Sequence, residues 1–325
     1  MAGISVSAAA GAGFELIGRK PLAVLGWGLL IFVAGVLPVV GVFALVGPTM
    51  IALFRQMATH PNVPPDPAQF SNMGGLMLLN PLIQLLSILF RAVLCGAVFR
   101  AVLTPKDSAY AYLRIGMKEV WLAVLFLAEG ILSVMLIMAV AIPVAIVVGL
   151  SIAFLNHAVA AIFTVLTVLA AIGLVIWILL RFALAAPMTF EEGEFRLFES
   201  WAVTRGHALQ LLGLGLLIFL LLLLVELVLM AAFGISMLAV FGSFHFQKAQ
   251  VMAFVQQPPS AWMGGAAVVF LVIGLVWSVL IAGVHAVLFA PFAAFYRMLR
   301  PAPETPARAA PLMGSPDLSA PATSV

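Results

Sequence analysis

A long stretch in the middle of the chain, from Gly130 to Leu180, contains no Asp, Glu, Lys or Arg. A run of this length is more than a single helix needs to cross a bilayer, because about 20 apolar residues span the roughly 30 Å hydrocarbon core. A membrane β-strand would show alternating polarity, which the similar apolar run Leu211–Leu224 lacks. In lipid the backbone must satisfy its own hydrogen bonds, and an unbroken apolar run does so as a helix. The run therefore predicts two membrane-spanning helices joined by a tight turn.

The rest of the composition excludes a soluble enzyme. Of the 325 residues, 65% are hydrophobic and 8% are charged, and the mean hydropathy is +1.23. Soluble domains carry about 25% charged residues, so this chain cannot cover a solvated surface. The net charge of +3 is too thinly spread to indicate a nucleic-acid partner, and it favours anionic lipids instead. The lone cysteine, Cys95, permits no intrachain disulfide.

Apolar runs predict six spans and therefore an all-α polytopic membrane protein. The predicted spans cover residues 22–46, 74–96, 120–146, 158–181, 208–239 and 263–293. The Pro-rich segment 60–67 and the aromatic segment 240–262 then connect spans on the outer side. The Pro/Ala-rich tail, 301–325, is predicted to be disordered.

The basic residues predict the orientation of the spans. With six spans, thirteen of the fifteen Lys and Arg residues fall on one side, and only Arg55 and Lys248 fall on the other. Cytoplasmic loops carry an excess of Lys and Arg. We therefore predict a multi-pass protein of the bacterial inner membrane with both termini in the cytoplasm.

Short similarities indicate a threefold repeat with units of about 1–105, 106–192 and 193–300, which together form a membrane domain of 1–300. A basic residue stands six positions before Ala97, Pro187 or Pro291 at the exit of each even-numbered span. These basic residues are Arg91, Arg181 and His285. We predict that they contact lipid head groups, where arginine binds phosphate in bidentate fashion. The alternative is that they anchor the span ends by reaching towards the interface.

An aromatic residue and basic residues precede each odd-numbered span, which predicts three interfacial amphipathic helices. In the second, Tyr110, Leu113, Met117 and Val120 form one apolar stripe at helical spacing. Such helices lie in the interface with basic side chains at the head groups, and a packed cytoplasmic cap is the alternative. The basic residues concerned in the second and third segments are Arg114, Lys118, Arg196 and Arg205.

The segment 181–213 carries a family resemblance. It reads Arg181-x5-Pro187, then Glu199-Ser200-Trp201-x2-Thr204-Arg205-Gly206-His207, then Leu211-Leu212-Gly213. This resembles the six-helix bacterial family of glycerophosphoryl diester phosphodiesterase membrane domain-like proteins. The resemblance implies a membrane module without the phosphodiesterase, since the chain has no long soluble segment for a catalytic barrel.

Two acidic residues lie inside predicted spans: Glu129, near the bilayer middle, and Glu226, further towards the outer side. An acid in a span costs about 2.5–3.5 kcal/mol and usually faces a cavity or a partner. The pair predicts either a polar site between the third and fifth spans or two protonated packing residues.

No catalytic, nucleotide-binding or metal-binding motif stands out, so no enzyme activity, cofactor or metal is predicted. We expect a protein that organises anionic phospholipids or partner proteins, including further copies of itself, at the membrane. The alternative is a transporter of a small molecule or lipid that uses Glu129 and Glu226.

Overall fold

The computed structural model describes residues 5–59, 67–106, 109–241 and 265–300. Within these ranges every regular element is a helix and no strand occurs. The first half contains α1 (Val6–Arg19), α2 (Pro21–Ile31), a π-turn (Phe32–Val36), α3 (Leu37–Thr59), α4 (Pro67–Leu103) and a 3₁₀ turn (Ala109–Tyr112). The second half contains α5 (Met117–Phe154), α6 (His157–Phe182), α7 (Ala185–Glu192), α8 (Glu199–Val203), α9 (Ala208–Phe241) and α10 (Gly265–Leu299).

Six helical stretches of the described chain are long and apolar enough to cross a membrane, which confirms the predicted all-α polytopic fold. They are Pro21–Val42, Pro81–Leu103, Ala109–Phe154, His157–Glu192, Ala208–Ile235 and Leu271–Leu299. Several helices are longer than a bilayer requires. The 38 residues of α5 extend about 57 Å at 1.5 Å per residue, against a hydrocarbon core of about 30 Å.

Burial divides the long helices into two parts. Residues 92–102 of α4 are all buried, whereas residues 81–87 are exposed. In α5, Leu122, Leu125 and Phe126 are buried, but almost every residue after Glu129 is at least partly exposed. We call the buried part the basic end, because Arg19, Arg100, Lys118 and Arg300 lie there. The exposed apolar part, which no other described element covers, is the lipid-facing part.

Two glycines allow close helix contacts in the bundle. A Cβ on Gly13 would lie 2.5 Å from the Val287 Cα, and a Cβ on Gly28 would lie 2.7 Å from the Val279 Cα. Such approaches are possible only without a side chain, and they let α1 and α2 pack backbone to backbone on α10. The first segment before a span therefore packs on the bundle, as in the cap alternative.

The prediction of an amphipathic helix over the segment before the third span is wrong. Tyr110, Ala111 and Tyr112 have φ angles of 52°, 56° and 65°, and α5 begins only at Met117. Three successive left-handed residues cannot continue a right-handed helix. Tertiary contacts stabilise this turn, because Trp27 Nε1 donates a 2.8 Å hydrogen bond to the Ala111 carbonyl and the Tyr112 ring is buried.

The helices continue past two prolines in the spans. Pro143 lies inside α5, which continues to Phe154. Pro38 is the second residue of α3, just after the π-turn that joins α2 to α3. Proline has no N–H to donate to the carbonyl of the preceding turn, so one helical hydrogen bond is missing there. The wider π-turn just before Pro38 is a local departure from the α-helical hydrogen-bond pattern. All of the predicted segment 60–67 except residue 67, all of the predicted segment 240–262 except residues 240 and 241, and the predicted tail 301–325 lie outside the described residues.

Candidate functional site: a charged cavity between four helical segments

A cavity of about 250 Å³ lies where the buried and lipid-facing parts of the bundle meet. α4 and α5 form two of its walls, the end of α6 with α7 forms the third, and α10 forms the fourth. Its charged and polar lining residues are Arg91, Glu129 and Ser133, and the remaining lining is apolar or aromatic. It is open on one side. Leu179 in its lining is 44% exposed, so the opening adjoins the lipid-facing part of α6.

Arg91 is held by aromatic rings. Its guanidinium carbon lies 4.8 Å from the centre of the Phe126 ring and 5.8 Å from that of the Phe289 ring. Cation–π contacts of this kind attract a guanidinium but leave its N–H groups free for other acceptors. Within the described chain, no hydrogen bond or ion pair shorter than 4 Å engages this side chain.

Glu129 lines the same cavity as Arg91, which is the one cation in the lining that the structure describes. The Arg91 charge acts on the Glu129 carboxylate, but the two do not approach within the 4 Å of an ion pair. No hydrogen bond satisfies the carboxylate from any residue that the structure describes. Ser133 follows one turn later on the same face of α5 and adds a hydroxyl to the lining.

The length of α5 bears on the depth that Glu129 would have in a bilayer. The charge-free remainder of this helix, residues 130–154, is about 37 Å long, which by itself covers the hydrocarbon core. If residues 130–154 span the core, Glu129 lies at the boundary of that core, on the side of the basic end. A cation and an anion at that level would face the depth at which phospholipid head groups are found.

The structure brings together two of the three repeat-equivalent basic residues. The His285 ring lies 5.9 Å from that of Phe289, the same ring on which Arg91 stacks. His285 Nδ1 is 2.8 Å from the Ile281 carbonyl, which accepts its hydrogen bond within α10. His285 thus supports the aromatic wall, although its ring does not line the cavity.

Arg181 belongs to a separate cluster. Its guanidinium carbon lies 5.0 Å and 5.6 Å from the centres of the Trp177 and Trp201 rings. Arg181 Nη1 donates a 3.1 Å hydrogen bond to the Thr204 carbonyl, and Ser200 Oγ donates one to the Arg181 carbonyl. The residues of the predicted family signature therefore tie the end of α6 to α8, and Arg181 acts here as a structural anchor.

The basic residues of the predicted interfacial segments have different environments. Lys118 Nζ donates a 3.3 Å hydrogen bond to the Glu191 carbonyl and lies over the Phe190 ring. Arg114 and Arg205 are exposed at the basic end.

Arg196 is surrounded by carboxylates. Its guanidinium pairs with Glu192 at 2.7 Å, Glu194 at 3.0 Å and Glu199 at 3.3 Å. The hydrogen bond to Glu199, together with the charges of Glu192 and Glu194, raises the pKa of Arg196 above its usual value. Because three carboxylates surround its guanidinium, we expect Arg196 to attract an anionic lipid less strongly than the sequence alone predicts.

Glu226 does not share the cavity with Glu129. Its side chain is exposed on the surface of α9, more than 20 Å along the helix from either end. The fifth span, α9, contributes no residue to the lining of the cavity in which Glu129 lies, so the two acids share no site in the described chain.

Sequence reasoning missed the most deeply buried charged pair of the described chain. Arg100 and Glu119 form an ion pair in which the side chains are 7% and 1% exposed, and Arg100 also donates to the Tyr112 carbonyl. The Glu119 carboxylate fits beside Gly96, where a Cβ would lie 2.9 Å from Oε1. The pair joins the end of α4 to the start of α5 directly behind the cavity wall. In the sequence, only the glycine at position 96 hints at such close packing.

Comparison of the chain with protein-family models, with curated proteins and with solved structures finds no match. The predicted resemblance to the phosphodiesterase membrane-domain family therefore stays a prediction.

Proposed function

We propose that this integral membrane protein is a non-enzymatic module that binds and organises phospholipids at the cytoplasmic leaflet of the bacterial inner membrane. The cavity carries the proposal, because it sets Arg91 and Glu129, both without a close polar partner in the described chain, beside a lipid-facing surface. Charged groups at membrane depth usually face a cavity or pair with one another. A bound head group would give both of them partners.

The orientation is part of the proposal. The basic end faces the cytoplasm, so the cavity opens towards the inner leaflet and both termini are cytoplasmic. The excess of Lys and Arg at one end of the spans supports this orientation. Anionic phospholipids would gather around the exposed Arg114 and Arg205, since each basic residue near a charged leaflet adds about 1 kcal/mol of attraction.

The proposal also keeps the predicted family membership, as a membrane module without a hydrolase. Other membrane proteins or further copies of the chain are candidate partners. The apolar surface of the α5–α6 hairpin supports this, since most of residues 130–180 are exposed.

Two experiments test the proposed function. A reporter enzyme that is active only in the periplasm, fused after Arg308, is expected to be inactive, and an active fusion would contradict the orientation. Native mass spectrometry of the protein in mild detergent is expected to show retained phospholipid, which the Arg91→Gln variant loses. The matched control is Arg19→Gln, which removes an exposed cation outside the cavity. Equal retention in wild type and Arg91→Gln would contradict the lipid role.

Transport remains the second candidate because Glu129 lines a cavity at the membrane boundary. It predicts a pH-dependent flux in proteoliposomes that Glu129→Gln abolishes. The separation of Glu226 from the cavity predicts that Glu226→Gln leaves such a flux intact. Flux that survives Glu129→Gln would remove the support for transport.

A further inference from the structure

The cavity lining contains two groups of opposite charge that form no ion pair with each other. Arg91 is fixed against Phe126 and Phe289, and Glu129 projects from α5 without approaching it within 4 Å. A direct ion pair would satisfy both groups at little cost if the helices allowed it. Because their positions keep them apart, a ligand that carries both an anion and a cation fits better than one with a single charge.

The environment of Arg91 suits a phosphate. The guanidinium uses its faces on the aromatic rings, so the N–H groups on its edge stay free. Guanidinium edges bind phosphate oxygens through two parallel hydrogen bonds. No carboxylate within 4 Å competes for this edge in the described chain.

The environment of Glu129 suits a primary ammonium. A carboxylate only accepts hydrogen bonds, and a primary ammonium brings three donors. Ser133, one turn further along α5, provides another oxygen acceptor. A quaternary ammonium lacks these donors and is bulkier, and a glycerol head group lacks the charge.

The size and place of the cavity suit a head group with its chains outside. Pockets that enclose whole drug-sized ligands have volumes of about 300–1,000 Å³, whereas this cavity has about 250 Å³. Leu136 and Leu179 line it next to the lipid-facing surfaces of α5 and α6. Acyl chains can leave along these surfaces while the head group stays between the two charges.

We propose that the cavity binds an aminophospholipid of the phosphatidylethanolamine class, with the phosphate at Arg91 and the ammonium at Glu129. This inference rests on the proposed lipid-binding function and adds the head-group class to it. The two residues have separate roles. Arg91 binds the phosphate that every phospholipid carries, and Glu129 selects lipids whose head group has a primary ammonium.

The test uses the full-length protein in detergent, supplied with equal amounts of three dioleoyl lipids and analysed by native mass spectrometry. The lipids are phosphatidylethanolamine, phosphatidylcholine and phosphatidylglycerol. We expect the wild type to retain phosphatidylethanolamine about tenfold better than either other lipid. Glu129→Gln is expected to lose this preference while still retaining phospholipid, and Arg91→Gln is expected to retain none of the three.

Matched variants separate the cavity from general charge effects. Glu226→Gln removes an exposed acid from another span, and Arg19→Gln removes an exposed cation outside the cavity, so both are expected to behave as wild type. Should Arg91→Gln fail to fold, Ser133→Leu fills the cavity without changing the charge and is expected to abolish the retention of phosphatidylethanolamine.

Two outcomes distinguish the inference from the proposed function. In the first outcome, Arg91→Gln loses phospholipid, but either the wild type shows no preference for phosphatidylethanolamine or Glu129→Gln keeps that preference. The head-group assignment is then overturned, and lipid binding stands. If the wild type retains no phospholipid, or Arg91→Gln and Ser133→Leu both retain it fully, both are overturned.

Discussion

The buried ion pair between Arg100 and Glu119 allows a quantitative test of how the basic end is held together. Each partner is at most 7% exposed. Arg100→Met leaves the carboxylate buried without its cation, and Glu119→Leu leaves the guanidinium buried without its anion. Breaking a buried pair in this way costs about 3–5 kcal/mol, so each single variant is expected to lose that much free energy of unfolding.

The double variant, Arg100→Met with Glu119→Leu, is expected to recover most of the loss. Replacing a buried pair with apolar residues is often neutral or stabilising, but here the Tyr112 carbonyl also loses its donor. An unsatisfied buried acceptor costs about 1–3 kcal/mol. The double variant should therefore lose no more than about 3 kcal/mol relative to wild type, well below the sum of the two single losses, which is about 6–10 kcal/mol.

The assay is equilibrium unfolding in mixed micelles of a mild detergent and dodecyl sulfate, followed by helical circular dichroism. The exposed pair between Glu15 and Arg19 gives a matched control, because its side chains are 55% and 77% exposed. Removing Glu15 is expected to cost less than about 1 kcal/mol. Additive losses in the double variant at positions 100 and 119 would refute the reasoning.

Three further predictions follow from single positions. Gly13→Ala puts a Cβ 2.5 Å from the Val287 Cα, so α1 must leave α10, and its amide hydrogen exchange should accelerate. Gly26→Ala puts a Cβ 3.0 Å from that of Ala111. It should lower the thermal midpoint, and adding Ala111→Gly should restore it by removing that Cβ and a left-handed non-glycine residue. Glu226→Leu should favour insertion of α9 by about 2.5–3.5 kcal/mol or more in a translocon insertion assay, since it removes a carboxylate from an apolar span.

For each of these three predictions, one experimental result would contradict it. Gly18 has no atom within 4 Å of a built Cβ, so Gly18→Ala is the control for Gly13→Ala, and equal exchange in the two variants would count against the close contact. Failure of Ala111→Gly to rescue Gly26→Ala would show that the two Cβ atoms do not interact. Unchanged insertion of Glu226→Leu would mean that the acid already has a partner in the membrane.

The spans could be predicted because unbroken apolar runs leave the backbone no alternative to a helix. Their lengths could not. α4 was expected at 74–96 and covers Pro67–Leu103, while α10 was expected at 263–293 and covers Gly265–Leu299. Hydropathy indicates which residues tolerate lipid. It does not separate a helix that ends at the interface from one that continues into a buried apolar core.

The sequence identifies the two charged residues of the candidate site, but it does not predict that they share one cavity. Arg91 was identified from the repeat and Glu129 as an acid in an apolar run, but the two lie on different helices and only the packing shows that they share a cavity. In the sequence, Arg100 is indistinguishable from the exposed basic residues of the basic end. Nothing in the local sequence distinguishes a buried arginine from an exposed one when its partner, Glu119, lies on the next helix.

The segment 110–116 shows the opposite failure. Its apolar spacing favours a helix, but Trp27 and the buried Tyr112 ring hold the chain in a left-handed turn. Contacts between distant segments override a local periodicity of this length.

The most direct test of the account is a cryo-electron microscopy map of the protein in nanodiscs that contain phosphatidylethanolamine. We expect head-group density between Arg91 and Glu129, with its phosphate against the guanidinium and its chains along α5 and α6. A map in which the Arg91 and Glu129 side chains pair directly with each other, and lipid lies only outside the bundle, would contradict it.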